Sequence, residues 1–328
     1  MKPFFLLVST LAMVWASCAW GAPVRVSFLD TDPAREDTLR AFAEAGCDSA
    51  NLDALRDAIV HYYREPPACD TSLFPPADNG FYEFASIGDF LSALGTNQLS
   101  YLDHPFELNC FDTALLLAAQ GMSLSADLNA PNGPYLAVQV TTNFSEWLMP
   151  VASLADVYAT AHPAWYGQFM ENRFGLSFTE KHRSLVAALY QYQALPLDTS
   201  PNTVAAETQA ALRRHWKRCG IRFPTHVSLV MLHRASPRYH LVVTDHMGVL
   251  LKRETGGLYL EQTGGRGPFL RIDVKNPADI AAYLSTVTWP DYPFNYMSAN
   301  DDLILDVPLR PAGTPAACST SIPAASSR

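Results

Sequence analysis

Apolar residues recur at helical spacing from Ala34 to Gly46 (AREDTLRAFAEAG) and from Asn51 to Arg64 (NLDALRDAIVHYYR), and each run stops at a glycine or a proline-rich breaker. The pattern predicts two amphipathic helices as a lead-in. Residues 65 to 80 read as loop and Ser86 to Leu94 as a short helix; His162 to Phe174, Thr179 to Leu195 and Asn202 to Cys219 read as further helices. The period then changes. Thr225 to Arg234, Tyr239 to Arg253, Gly257 to Thr263 and Phe269 to Val274 are rich in β-branched and aromatic residues and are separated by turn formers, which predicts an antiparallel meander. A helix from Pro277 to Thr286 and a last strand from Asp302 to Val307 follow. Helices first and an antiparallel sheet afterwards is an α+β order.

Between the helical lead-in and the sheet lies FELNCFDTALLLAAQ, residues 106 to 120. Ala114 to Ala119 propagate a helix and Asn109 can cap it, so Cys110 falls in the first turn, where free backbone N–H groups and the helix dipole favour an anion. A thiol placed there ionises more readily. The bland reading of Cys110 is a buried inert thiol.

Composition narrows the picture. The chain has 328 residues, a formal net charge of −9 and 48% hydrophobic residues, enough to bury a sizeable core. The acidic balance argues against nucleic acid as a partner and against adhesion to anionic lipid. Residues 1 to 21 stand apart: Lys2, an apolar stretch from Phe4 to Ala16 and small residues at Ala19 and Gly21 have the layout of a signal peptide. Export to the periplasm or beyond is the expectation. The rival reading is lipid attachment at Cys18, which would make the chain a membrane-anchored lipoprotein; otherwise no membrane association is expected. Residues 22 to 309 read as one α+β domain, and residues 310 to 328, rich in Pro, Ala and Ser, as a disordered tail. Of the six cysteines one, Cys18, falls in the leader. The remaining five, an odd number, leave a free thiol, which Cys110 fits, with Cys47 and Cys69 the first pair to expect in a disulfide.

A cysteine nucleophile needs a base, and the base needs an orienting group. Nine histidines compete. His61, His182 and His215 sit on amphipathic or charged helices and read as surface or boundary residues; His104 and His162 neighbour prolines. Among the sheet histidines, His246 opens a hairpin, DHMGVLLKRETGGLYLEQTG, whose pairing brings it opposite a residue between Glu261 and Thr263. Alternation allows only one of Glu261 and Gln262 to share its face, and Glu261 is favoured because a carboxylate also stabilises an imidazolium. His240 is the reserve base. Oxyanion stabilisation would fall to the N–H of Cys110 with Asn109 or Tyr101, and Gln262 is a further polar candidate. GGRG at 264 to 267 reads as a turn, no Cys/His spacing suits zinc and the acids from Asp301 to Asp306 make no calcium loop, so no cofactor and no metal are expected.

Asn109-Cys110 opening a helix, followed far downstream by His246-Met247-Gly248-Val249-Leu250 and by Leu260-Glu261, resembles the papain-like cysteine amidases and peptidases, especially their secreted bacterial branch with the NlpC-like cell-wall hydrolases. The lead-in AFAEAGCDSANLDALRDAIVHYY is similar to an uncharacterised group of secreted bacterial proteins of that fold. The resemblance implies a papain-like α+β fold with the cysteine helix packed on the sheet, a Cys110 nucleophile, a His246 base and an exported amide hydrolase. A peptide, peptidoglycan or protein substrate is expected. The run Leu-Asn-Cys-Phe-Asp departs from the cell-wall hydrolase pattern, so the substrate does not carry over. An acyltransferase of transglutaminase type and an inactive cell-wall or protein binding module are the alternatives.

Overall fold

The computed structural model describes residues 23–64, 74–96, 110–125, 185, 188–189, 193–238, 240–263, 268–285 and 294–304. Over these residues the chain is α+β. β1 (Val24–Ser27) leads into α1 (Asp32–Glu44), which carries a proline in its first turn, and into α2 (Ser49–Tyr62), where the Asp48 carboxylate accepts from the Asn51 backbone N–H. β2 (Tyr82–Phe84) and α3 (Ile87–Thr96) follow, the helix begun by Ser86, which exchanges hydrogen bonds with Asp89. α4 (Cys110–Ala118) is buried along its whole length, which explains why CFDTALLLA is apolar on nearly every side.

After β3 (Gln193–Ala194), α5 (Val204–Cys219) ends on Gly220 at a left-handed φ of 60°. The remainder is β4 (Ser228–Ser236), β5 (Leu241–Lys252), β6 (Gly257–Gln262), β7 (Phe269–Val274), α6 (Pro277–Leu284), β8 (Phe294–Ala299) and β9 (Asp302–Ile304). One antiparallel sheet runs in the order β2-β1-β7-β6-β5-β4-β8-β9, with β3 added to the edge of β5. The meander expected from the sequence is thus its centre. The structure adds β1, β2, β3 and β8 to it, and β3 replaces the end of the helix expected over Thr179 to Leu195, because Gln193 and Ala194 pair with Val242 and Leu241. The helix expected over His162 to Phe174 lies outside the described residues.

Each face of the sheet has its own core. α1, α2, α4 and α5 cover one face, where Phe42, Ile59, Leu115 and Trp216 pack with Met247, Val249 and Leu260. α3 and α6 cover the other, where Phe90, Ile280 and Tyr283 pack with Leu250, Tyr259 and Ile272. Each fully buried side chain of this size contributes about 1.5–3 kcal/mol. Successive residues of β6 therefore serve different layers: Leu258 and Leu260 meet the cysteine helix side, Tyr259 the α6 side.

Two irregularities fall beside each other in β5. Leu232 of β4 lies opposite His246 and His233 opposite Thr244, so Asp245 is the extra residue of a bulge next to His246. On its other edge β5 pairs with β3 at Leu241 and Val242, and with β6 only from Val249 to Lys252. Among the described residues nothing pairs with the intervening edge. The sheet is parted there, and α4 packs against both β5 and β6.

Candidate functional site

The parting in the sheet is where Cys110, His246 and Glu261 come together. Cys110 is the first residue of α4 and is 4% exposed. A side-chain hydrogen bond links it to His246, and His246 Nε2 lies 2.7 Å from Glu261 Oε2. With Nε2 committed to the carboxylate, Nδ1 is the ring nitrogen left for the thiol. Cys110 belongs to the core on the α4 side, whereas Glu261 shares the opposite face with Tyr259, and the β5–β6 pairing is interrupted beside them.

The carboxylate is fully buried, and among the described residues three donors meet it. Besides His246, Tyr259 Oη donates to Oε2 at 2.5 Å and Tyr283 Oη, from α6, donates to Oε1 at 2.6 Å. Burial alone would push the His246 ring down; the Glu261 carboxylate and then Cys110 outweigh it, and the ring is held well above its ordinary 6.5. Burial, followed by the neighbouring Glu261 charge, holds the Tyr259 hydroxyl well above 10, so it stays a donor.

Gln262 is on the other face. Its side-chain oxygen accepts from Thr113 Oγ1 at 3.3 Å, one turn along α4 from Cys110, and its amide nitrogen is buried with no hydrogen-bond partner among the described residues. Alternation does separate Gln262 from Glu261, but the face it turns to is the one that carries the cysteine helix. Asn109 and Tyr101 lie outside the described residues. His240, the reserve base, sits in the turn before β5 at a left-handed φ of 53°. The bulge at Asp245 breaks the alternation that would have put His240 on the face of His246, and it is His246 that meets the thiol.

The other cysteines have a different setting. Cys47 is a free thiol that donates to the Leu117 carbonyl at 3.4 Å, in place of the disulfide expected with Cys69, which lies outside the described residues. Burial pushes its thiol up to about 11. His215, expected at the surface, is buried, with Nε2 donating to the Ala188 carbonyl at 2.6 Å and lying 3.6 Å from Cys219 Sγ. Here burial pushes the thiol up to about 12 and the imidazole down to about 4. Among the described residues no carboxylate joins this second Cys–His contact, and both partners stay neutral. At His246 the Glu261 carboxylate supplies the charge that raises the ring instead.

Tyr259, Tyr283 and Gly248 are the parts of the site that the sequence reading missed. Tyr259 had a signal, because Tyr-x-Glu in a strand puts both side chains on one face. Tyr283 comes from a helix over twenty positions away and had none. Among the described residues no group of His, Cys, Asp and Glu is arranged to hold a metal ion, and no helix is long and apolar enough to cross a membrane. Comparison with protein-family models, with curated proteins and with solved structures finds no match to this chain.

Proposed function

We propose that the protein is an exported, papain-like cysteine hydrolase that cleaves an amide bond in a peptide, peptidoglycan or protein through a thioester on Cys110. The observation that carries this reading is the contact series Cys110–His246–Glu261, built at a helix N-terminus and a sheet edge. With the thiol proton held on His246, the sulfur adds to the substrate carbonyl carbon. Negative charge develops on the carbonyl oxygen, beside the first-turn backbone N–H groups of α4 that have no partner within the helix. His246 then gives its proton to the leaving amine as the C–N bond breaks. Water, deprotonated by His246, adds to the thioester, and breaking of the C–S bond returns the thiol and a carboxylate product. Glu261 stays ionised throughout and orients the ring.

The test is incubation of the full chain with peptidoglycan fragments and with a mixed peptide library, followed by mass spectrometry of new amine ends. Cleavage by the wild type that is absent in Cys110→Ala supports the reading. Cleavage retained in that variant, or none with either substrate set and no acyl adduct on Cys110, overturns it.

A further inference from the structure

When the ring carries its second proton, a buried carboxylate beside an imidazole has two ways to exist: as an ion pair, or, with the proton passed across, as a neutral acid and a neutral ring. The two forms carry the same net charge, so burial alone does not choose between them by much. Donors to the carboxylate do choose, because a hydrogen bond to the charged form stabilises it and one to a protonated acid is weaker. Glu261 has two such donors besides the ring. Tyr259 Oη shares Oε2 with His246 Nε2 at 2.5 Å, and Tyr283 Oη holds Oε1 at 2.6 Å.

From this geometry we infer that Tyr259 and Tyr283 are positioning residues of the site: a phenol pair, one from the sheet and one from α6, that keeps Glu261 charged and aimed at His246. The inference rests on the proposed hydrolase reading for its purpose, but not for its test. The centroids of the two rings lie 6.3 Å apart, and Tyr283 stacks on Phe90 at 6.3 Å and 27°. Tyr259 reaches the carboxylate across Gly248, where an added Cβ would stand 2.5 Å from the phenol oxygen. A glycine in mid-strand two residues from His246 is therefore required by the ring that crosses it. Tyr283 prevents the carboxylate from turning about its last torsion, and Tyr259 holds the oxygen that His246 uses.

The titratable groups acting within this cluster are Cys110 from α4, His246 from β5, Glu261 and Tyr259 from β6 and Tyr283 from α6; β4 contributes Leu232 opposite the ring. A tyrosine that merely filled space could lose its hydroxyl without moving a proton between His246 and Glu261. A positioning tyrosine could not.

The experiment is 15N NMR of the histidine rings in the full chain at pH 7, in the wild type, in Tyr259→Phe, in Tyr283→Phe and in the double variant. The expected result is an imidazolium signature for His246 in the wild type, weakened in each single variant and replaced by a neutral-ring signature in the double one. An unchanged His246 signal in the folded double variant overturns the inference. If that variant does not fold, a pH titration of wild-type protein labelled at the tyrosine ζ-carbons decides: Tyr259 and Tyr283 moving in step with the His246 ring supports the clamp, and movement independent of it overturns it. No substrate is involved, so a lack of amide cleavage would defeat the hydrolase reading and leave this result standing.

Discussion

Glu261 and Gln262 are neighbours in β6, both fully buried, and they report to opposite layers of the protein: Glu261 binds His246 and the two tyrosines, and Gln262 binds Thr113 of the cysteine helix. Their replacements should part accordingly. Glu261→Gln keeps the shape but removes the charge that holds the His246 ring above its ordinary range, and is expected to cut kcat/KM by ~10²-fold or more. Gln262→Ala should cost about 1–3 kcal/mol of stability through the lost packing and hydrogen bond, with the His246 titration unchanged. NMR titration of His246 in both variants, beside thermal melts, checks the pair; a His246 titration altered by Gln262→Ala and not by Glu261→Gln contradicts the assignment.

Gly248 gives a backbone test of the same arrangement. In Gly248→Ala the new Cβ would meet the Tyr259 ring and hydroxyl at 2.5–2.6 Å, so the ring must move off Glu261. A loss of about 1–3 kcal/mol is expected from the overpacking. The Tyr259→Phe change should then cause little further change in the His246 signal, since the bond it removes is already gone. Additive effects of the two changes would speak against the contact.

Three histidines set opposing pH dependences. His215 and His233 are buried and neutral, depressed to about 4 and about 3, so the unfolded chain binds more protons than the native one between those values and 6.5. Their contribution is present above 6.5 and is lost as pH falls, at up to about 1.4 kcal/mol per pH unit for each. His246 has the opposite sign: its raised native value gives stability that is full below 6.5 and is lost as pH rises through that raised value. Taken together the three predict greatest stability close to pH 6.5. Urea titrations across pH 4–9 should show His233→Gln flattening the acid side alone.

Much of this arrangement was legible in the sequence. The change from helical to alternating period located the layers, FELNC placed Cys110 at a helix start, and the hairpin around Arg253 to Gly257 restricted the partner of His246 to the segment that contains Glu261. What was hidden has physical reasons. β1 and β2 are four and three residues long and gain their stability from sheet neighbours rather than from local preference. The bulge at Asp245 adds one residue to a strand whose apolar pattern continues through it, so the even spacing of His240 and His246 does not put them on one face. His215 sits among Arg213, Arg214, Lys217 and Arg218, and the charges around it masked a buried face that Trp216 and Cys219 share with it.

Cysteine chemistry separates the site from the other thiols. Burial holds Cys47 up to about 11 and Cys219 up to about 12, and among the described residues neither contacts a charged base. Under native conditions near neutral pH, iodoacetamide should label Cys110 ahead of both. Peptide mapping of the labelled protein checks the order; equal labelling of Cys47 or Cys219 contradicts it.

The account depends most on His246 activating Cys110, and the rate of Cys110 alkylation by iodoacetamide at pH 6, measured in the wild type and in His246→Gln, addresses that directly. The contact between the two side chains predicts a fall of ~10²-fold in the variant, within the range that a positioned base contributes. Equal rates in the two folded proteins would show that the imidazole does not act on the thiol, and would contradict the account.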